Sequence, residues 1–395
     1  MQSLTIATLL DEASCPKIAK TFTKGTHRAA PPEHLIDALR PDFATFGITR
    51  VARITGLDRI GIEVFTVARP NSRGLSVTQG KGADRRAAML SGVMEAIECW
   101  HAERPACPLF LRTPLEVVAE YPQTPIHLWD AVQTRSHPIL WTMAHDLVAG
   151  HAVPVPFDLV HTSFRGGGRP YQSGHVATTN GLASGTNLPE ALTHALCEVI
   201  ERDATVSFGR LDVAAQDARA VDLARLDDPV CLEMVERCAA ARIDVTAWET
   251  TGDIAVPSFV ACLHDQADRA MPPGFGAGCH LDRHVALSRA IAEAAQARLT
   301  RIAGARDDLA EKYYHASERI RAERLVKRTN RAGASHPAIA PDLASDCLAE
   351  DLRRALACLS AAGHAHAFAL SLASDPRFSV VRVIVPGLAG LEHDT

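Results

Sequence analysis

The sequence has 395 residues, of which 47% are hydrophobic and 22% are charged, and its formal net charge is -5. These values are typical of a globular protein with a substantial core, and they argue against a nucleic-acid partner, which would favour a basic face. No apolar run approaches the ~20 residues of a membrane span. Asp11 and Glu12 interrupt the first apolar stretch, so we expect a cytoplasmic protein with neither a signal peptide nor a membrane anchor.

The ten cysteines are scattered along the chain and form no CxxC pair. Zinc sites and disulfide frameworks usually show cysteines at short, regular spacings, so we expect neither. Reduced thiols are the state expected in the cytoplasm.

Strand-like and helix-like segments alternate along the chain, which predicts the α/β class. Strands are predicted at 61–69, 75–79, 153–161, 243–248, 256–263, 365–372 and 379–385. Helices are predicted at 87–101, 189–203, 285–302 and 348–361. A glycine-rich loop is predicted from 165 to about 185, a basic exposed region at 319–331 and a connector at 335–341.

Three of the predicted helices carry a narrow polar stripe in an otherwise apolar surface. In the first helix the stripe follows the spacing i, i+4, i+7, which places Ser91, Glu95 and Glu98 on one face. The second helix repeats this pattern with Glu190, Glu198 and Glu201, with His194 nearby and Arg202 adjacent. In the third helix the same spacing aligns Arg289, Glu293 and Gln296.

These stripes are either solvent-facing or part of an internal site. Exposed helix faces usually mix acids with lysines, but no basic residue lies between Ala87 and Trp100. A helix this apolar is mostly buried, and buried carboxylates are costly unless they are paired or bind a metal. Because the ligands would be hard oxygen atoms, a magnesium or calcium ion is favoured over zinc.

Glycine-rich turns precede two of the acid helices. Gly80-Lys81-Gly82 leads into the first, and residues 180–187 lead into the second. Turns at helix N-termini present backbone N–H groups to anions such as phosphate, and magnesium usually accompanies a phosphate ligand. Neither turn is a Walker A loop, because the GxxxxGK[ST] pattern is absent. The combination indicates nucleotide binding by an uncommon fold.

The three segments together resemble the nucleotide motifs of the YcaO family, whose members modify ribosomally synthesised peptides. The similar segments, in the family's order, are GKGADRRAAMLSGVMEAIE (80–98), NGLASGTNLPEALTHALCEVIERDA (180–204) and GCHLDRHVALSRAIAEAAQARLT (278–300). The resemblance covers about residues 20–390 and implies a YcaO-like fold of mixed β-sheets packed by helices, neither Rossmann nor P-loop. It also implies one compact unit, in which residues 1–45 contribute to the site of a catalytic domain at 46–395.

The resemblance implies ATP bound with Mg2+ where the three helices meet. The implied magnesium ligands are Glu95, Glu98, Glu198 and Glu201. Other implied members of the nucleotide site are Glu190, Arg202, Arg289, Glu293 and Gln296, with candidate phosphate contacts at Lys24, Lys81 and Ser91. The family's usual Ser-Gly-Asn-Thr order is here Ser184-Gly185-Thr186-Asn187, so either Thr186 or Asn187 contacts nucleotide, and both suit a helix cap. His194 is a candidate general base, and a packed histidine is the alternative.

In this family ATP phosphorylates an amide oxygen after a nucleophile has attacked the carbonyl carbon, and the nucleophile determines the product. Azoline-forming members commonly end in a PxPxP tail, whereas this chain ends VVRVIVPGLAGLEHDT. The stretch from Arg298 to Asp308 is similar to sequences associated with the partner protein TfuA, which favours thioamide formation from an external sulfide equivalent. We therefore expect a precursor-peptide substrate, a TfuA-like or peptide-recognition partner and, from the family, a homodimer. Azoline formation, a non-catalytic peptide-presenting scaffold and a ligase that activates carboxylates stay open as alternatives.

Overall fold

The structure is a computed structural model that describes residues 5–10, 17–129, 137–163, 171–175, 177–268, 271–306, 308 and 340–389. The predicted basic region at 319–331, the glycine run at 165–168 and most of the connector at 335–341 lie outside these residues. Helices and strands alternate along the described chain, and the predicted α/β class is confirmed.

The α-helices of the described chain are α1 (Ile6–Leu10), α2 (Pro32–Leu39), α3 (Arg85–Ala102), α4 (Pro114–Glu120), α5 (Leu188–Arg210), α6 (Val213–Asp217), α7 (Pro229–Ala240), α8 (Arg283–Ala303) and α9 (Leu348–Ala361). The three predicted acid helices correspond to α3, α5 and α8, and the fourth predicted helix corresponds to α9. Helix α5 continues seven residues beyond the predicted end at 203, because no glycine or proline interrupts the chain before Gly209.

The strands are β1 (Arg50–Arg53), β2 (Glu63–Ala68), β3 (Val77–Gly82), β4 (Phe110–Arg112), β5 (Ile139–Asp146), β6 (Ala152–Pro156), β7 (Leu182–Gly185), β8 (Ile243–Glu249), β9 (Ser258–Asp265), β10 (Gly274–Cys279), β11 (Phe368–Asp375) and β12 (Phe378–Ile384). They form sheets with the orders β1-β2-β3, β10-β9-β8 and β4-β5-β11-β12-β7, and β6 pairs with β5. All strand pairs among the described residues are antiparallel. The expectation of several sheets packed by helices is confirmed.

Two predicted boundaries are wrong. The predicted strand at 153–161 ends at Pro156 and continues as a 3-10 turn at Phe157–Leu159. The loop predicted up to about residue 185 instead contains β7, whose four residues are all buried. Its glycine and serine look like loop residues in the sequence, but they form a strand because β12 supplies a complete antiparallel partner.

The same strand–helix arrangement occurs three times. Strands β3, β7 and β10 each lie at the edge of their sheet within the described chain, and each leads directly into an acid helix, α3, α5 or α8. A Cβ added to Gly185 would lie 2.5 Å from the backbone nitrogen of Ala191, and one added to Gly82 would lie 2.6 Å from that of Ala88. Glycine therefore allows each strand to pack directly against the helix that follows it.

Each acid helix also begins with an Asx cap. Asp84 accepts hydrogen bonds from the backbone of Arg86 and Ala87, and Asn187 accepts one from the backbone of Glu190. At the start of α8, Asp282 accepts bonds from the backbone of His284 and Val285. These side chains satisfy N–H groups that a helix start leaves unpaired.

Separate apolar clusters hold the sheets and helices together. One lies between α3 and the large sheet, a second between α5, α9 and the opposite face of that sheet, and a third between α7, α8 and the strands β8 and β9. No helix in the described residues is long and apolar enough to cross a membrane.

Candidate functional site

The three acid helices bring their polar stripes into one region. Glu95 of α3 interacts electrostatically with Glu198 of α5 and with Lys81 of β3. Glu201 of α5 interacts in the same way with Glu293 of α8. Carboxylates from three separate parts of the chain therefore share one electrostatic environment.

Burial strongly shifts the pKa values of the two acids of α3, Glu95 and Glu98. Ser184 of β7 donates a 2.5 Å hydrogen bond to Glu98, which is 9% exposed. Burial, with repulsion from Glu95 and Glu198, nevertheless raises the pKa of Glu98 to about 8. Burial likewise raises the pKa of Glu95 to about 7, against the opposing effect of Lys81. Both groups would ionise more readily beside an added cation.

The acids of α5 differ in their surroundings. Burial and repulsion from Glu293 raise the pKa of Glu201 to about 7, although Arg289 and Lys81 act against this shift. Glu198 instead forms an ion pair with Arg202 at 3.1 Å, and the side chain of Arg202 is 48% exposed. Arg202 therefore reaches the cluster from the solvent side.

Lys81 connects the first strand–helix unit to the third. Its ammonium group forms an ion pair with Glu293, which also accepts a 3.4 Å hydrogen bond from the backbone of Ala277. Burial alone would raise the pKa of Glu293, but Lys81, the backbone of Ala277 and Arg289 together lower it. Glu293 thus already has a strong cationic partner in the protein.

At the start of α5, Glu190 binds the N-terminal segment. Its carboxylate accepts hydrogen bonds from Arg28 Nη1 (3.0 Å), the backbone of Ala29 (3.2 Å) and Thr186 Oγ1 (2.6 Å). Asn187 is the residue that caps the helix. Arg28 was not among the residues predicted for the site, and its only sequence signal was the basic character of residues 24–28.

A cleft of about 480 Å3 lies at the Glu190 end of the stripe. Its lining includes Thr26, Arg28, Glu190, His194, His280 and Arg289. Arg289 Nη2 and His194 Nε2 lie 3.0 Å apart, and since a guanidinium can only donate, the imidazole nitrogen accepts. Burial, together with Arg289 and Arg28, lowers the pKa of His194 well below its usual value, so the ring is neutral at neutral pH.

Three of the residues predicted for the site are less closely connected to the acid cluster. Lys24 is exposed, and no hydrogen bond or ion pair among the described residues joins Lys24 or Ser91 to the acid cluster. Gln296 lies on α8, where its backbone carbonyl accepts a hydrogen bond from Thr300. Arg306, which was not predicted as a site residue, acts electrostatically on Glu95 and pairs with Asp308 at 2.6 Å.

The donors present suit a divalent cation with an anionic ligand. Within the described chain no three side chains already converge as a ligand set, because Glu98, Glu198 and Glu293 each have a protein partner. Hard carboxylate oxygens with raised pKa values favour Mg2+ over softer metals. The Nε atoms of Arg28 and Arg289 are buried without a partner among the described residues, as expected where an anion binds.

The family comparison agrees with this chemistry. The profile described as YcaO cyclodehydratase, ATP- and Mg2+-binding, matches residues 79–389. A protein of the tfuA 3' region of Rhizobium leguminosarum bv. trifolii is 36% identical over 374 residues, which is 91% of this chain and 88% of the relative. A protein of Methanothermobacter thermautotrophicus is 34% identical over 378 residues, 91% of this chain and 94% of the relative.

Solved structures share the fold. YcaO from Methanopyrus kandleri bound with AMPPCP and Mg2+ superposes with a TM-score of 0.71 at 21% identity, covering 94% of both chains. A heterocyclase in complex with substrate and cofactor gives a TM-score of 0.75 at 18% identity, covering 94% of this chain and 54% of the other. This chain therefore spans about half the length of that heterocyclase.

The fold and the family match together show that this chain belongs to a class of cyclodehydratase-type enzymes that bind ATP and Mg2+. The match confirms the cofactors that we expected from the sequence. The chain belongs to the YcaO family.

Proposed function

We propose that this YcaO protein uses ATP and Mg2+ to activate a backbone amide of a ribosomally synthesised peptide, forming a thioamide with a TfuA partner. The observation that carries the proposal is the meeting of carboxylates from α3, α5 and α8 in one electrostatic cluster. Bound Mg2+–ATP would supply a phosphoryl group that turns the amide oxygen into a good leaving group.

The chain's own residues would bind and orient that cofactor. We assign Glu95, Glu98, Glu198 and Glu201 to the metal, since three of them carry raised pKa values that a cation would lower. Eight residues are assigned to the nucleotide. Four lie at or on α5 and four lie on β3 and α8: Thr186, Asn187, Glu190 and Arg202, and Lys81, Arg289, Glu293 and Gln296. Arg28 joins them because it lines the same cleft.

His194 has two candidate roles in this site. As a general base it would use the Nε2 lone pair, which here accepts from Arg289. As a positioning residue it would hold that guanidinium toward a phosphate. His194→Gln keeps an acceptor but cannot take up a proton, so retention of its activity across the pH profile would support the positioning role.

A thioamide is favoured over an azoline by one observation. The Rhizobium relative that is 36% identical is encoded in a tfuA 3' region. Azoline formation on Cys, Ser or Thr of the peptide is the second candidate, favoured by the cyclodehydratase description of the family.

Mass spectrometry of a candidate precursor peptide distinguishes these products. The peptide is incubated with the protein, ATP, Mg2+, sulfide and a TfuA protein, with omission of each component as control. Replacement of one oxygen by sulfur supports thioamide formation, and loss of one water supports an azoline. An unchanged peptide in the presence of peptide-dependent ATP consumption would overturn both, and 18O transfer from a labelled carboxylate to phosphate would indicate a ligase.

A further inference from the structure

Two buried side chains outside the cleft have unused hydrogen-bonding atoms. Arg382 of β12 is fully buried, and its Nη1 has no partner among the described residues. Asn180, just before β7, is 2% exposed, and within the same residues neither its Nδ2 nor its Oδ1 is hydrogen-bonded. Buried polar atoms are rarely left unpaired, so these atoms indicate a ligand.

Both residues contact Thr178, at one junction. Arg382 Nη2 donates to the carbonyl of Thr178 at 2.7 Å, and the backbone N–H of Asn180 donates to Oγ1 of the same threonine at 2.8 Å. Arg382 Nε donates to the carbonyl of Leu159 at 2.9 Å. Because Nε and Nη2 are both held, the guanidinium is fixed and only Nη1 is left to bind a ligand.

This junction adjoins the acid cluster. Arg382 is directly opposite Leu182 in the β12–β7 ladder, so its side chain shares a sheet face with Ser184, the donor to Glu98. Glu198 also acts electrostatically on Arg382. Burial lowers the pKa of Arg382 to about 10, which leaves the guanidinium charged at neutral pH.

The junction and the cleft lie at opposite ends of the acid stripe on α5. A Cβ at Gly185 would contact Glu190, which lines the cleft, whereas a Cβ at Gly181 would contact Val199. The nine positions between Glu190 and Val199 correspond to about 13 Å of helix. If a nucleotide enters through the cleft with its phosphates toward Glu198 and Glu201, the junction lies at the level of those phosphates, because Val199 lies between the two acids on α5.

We propose that Asn180 and Arg382 form a binding subsite for the peptide amide that the enzyme activates. The N–H and C=O of a trans peptide unit point in opposite directions, so Asn180 can use its Oδ1 to accept from the N–H while another group binds the C=O. Arg382 Nη1 provides a charged donor for the carbonyl oxygen, on which negative charge develops. Thr179, the residue before Asn180, is exposed. This inference rests on the proposed function for the identity of its ligand.

Asparagine labelling gives a direct test. The chain has asparagines only at positions 71, 180, 187 and 330, so 15N-labelled asparagine produces four side-chain amide signals. Asn180→Asp identifies the signal of Asn180 by its loss. The intact protein is titrated with N-methylacetamide, the smallest analogue of a peptide unit, alone and with Mg2+–AMPPCP. We expect a saturable shift of the Asn180 signal and none of Asn71, which is exposed.

Arg382→Lys tests the second member. It keeps the positive charge but removes Nη1, and we expect N-methylacetamide affinity to fall about tenfold. Arg298→Lys is the matched control, because Arg298 is equally buried and also leaves its Nη1 unpaired within the described residues. Its other guanidinium nitrogens pair with Asp58 and Asp265 instead of with Thr178 and Leu159. Its affinity for N-methylacetamide should equal that of the unmodified protein.

The titrations distinguish a failure of the amide subsite from a failure of the proposed function. If Mg2+–AMPPCP shifts the Asn187 signal while N-methylacetamide leaves Asn180 unchanged, the amide subsite is overturned and nucleotide binding stands. Equal shifts of all four signals, or equal losses of affinity in Arg382→Lys and Arg298→Lys, also overturn the subsite. If Asn180 responds but no Mg2+–AMPPCP uptake is detected, the subsite is supported and the proposed reaction is overturned.

Discussion

Lys81 and Glu293 form an ion pair between the edge strand of one sheet and a helix packed on another. Lys81 also acts electrostatically on Glu95 and Glu201, so one ammonium group offsets carboxylates from α3, α5 and α8. Together with Arg202, Arg289 and Arg306, it supplies positive charge to a predominantly acidic site.

Replacing Lys81 with Met should therefore weaken nucleotide binding. Glu293 loses the cation that lowers its pKa, and a bound phosphate loses a positive contact. A charge-assisted hydrogen bond contributes roughly 1.5–3 kcal/mol, so the affinity for Mg2+–AMPPCP should fall at least about tenfold by calorimetry. Arg86→Met is the control, since Arg86 is 66% exposed and pairs with Glu33 only at the surface. Equal affinities of the two variants would exclude Lys81 from the site.

Stability without Mg2+ should decrease as the pH rises from about 6.5 to 8. Above their unfolded pKa of about 4.3, Glu95, Glu98 and Glu201 hold more protons in the folded than in the unfolded chain, because burial raises their pKa values. The buried His194 and His280 act in the opposite direction, but only below about pH 6.5.

Denaturant unfolding at several pH values checks this dependence. Glu98→Gln should flatten the slope between pH 6.5 and 8, because it removes the carboxylate whose pKa is raised to about 8. Glu233→Gln, on an exposed side chain of α7, should leave the slope unchanged. A free energy of unfolding that rises over this range in the unmodified protein contradicts the assignment of these carboxylates as buried and uncompensated.

Glu201→Gln should abolish ATP turnover while leaving the fold intact. The carboxamide is nearly isosteric but supplies no negative charge to Mg2+, and it also removes the repulsion from Glu293. Phosphate release in the presence of precursor peptide measures turnover, and circular dichroism measures the fold. Glu236→Gln, at an exposed position of α7, is the control. Turnover at the unmodified rate would remove Glu201 from the site.

Arg28 and Glu190 should be energetically coupled in nucleotide binding. Both line the cleft and are joined at 3.0 Å, so either single replacement leaves a charged partner unpaired. We expect Arg28→Met, Glu190→Gln and the double variant to give a coupling energy of about 1 kcal/mol or more for Mg2+–AMPPCP binding. Additive losses in the double-mutant cycle would show that the two residues act independently.

The sequence was most informative where local patterns determine structure. The i, i+4, i+7 spacing placed Glu95 and Glu98 on one face of α3, and the surrounding apolar residues indicated burial. The acid faces of α5 and α8 could be predicted in the same way. Helix α9 was predicted with both of its ends, because its amphipathic pattern is regular throughout.

Features that depend on distant partners could not be predicted. Arg28 and Glu190 are 162 positions apart, and nothing local in residues 24–28 indicates which acid they meet. Strand β10 is rich in glycine and small residues, so it has no strand pattern of its own and forms only where β9 and α8 pack against it. Arg382 lies in an apolar strand sequence that gives no indication of its bonds to Leu159 and Thr178.

The glycine contacts between each edge strand and its following helix have a mechanical consequence. With no side chain between them, the strand and helix backbones are in direct contact, so each edge strand closely fixes the position of its acid helix. The carboxylates lie along the middle of those helices. The distances between carboxylates of different helices therefore depend on how the three sheets are oriented relative to one another.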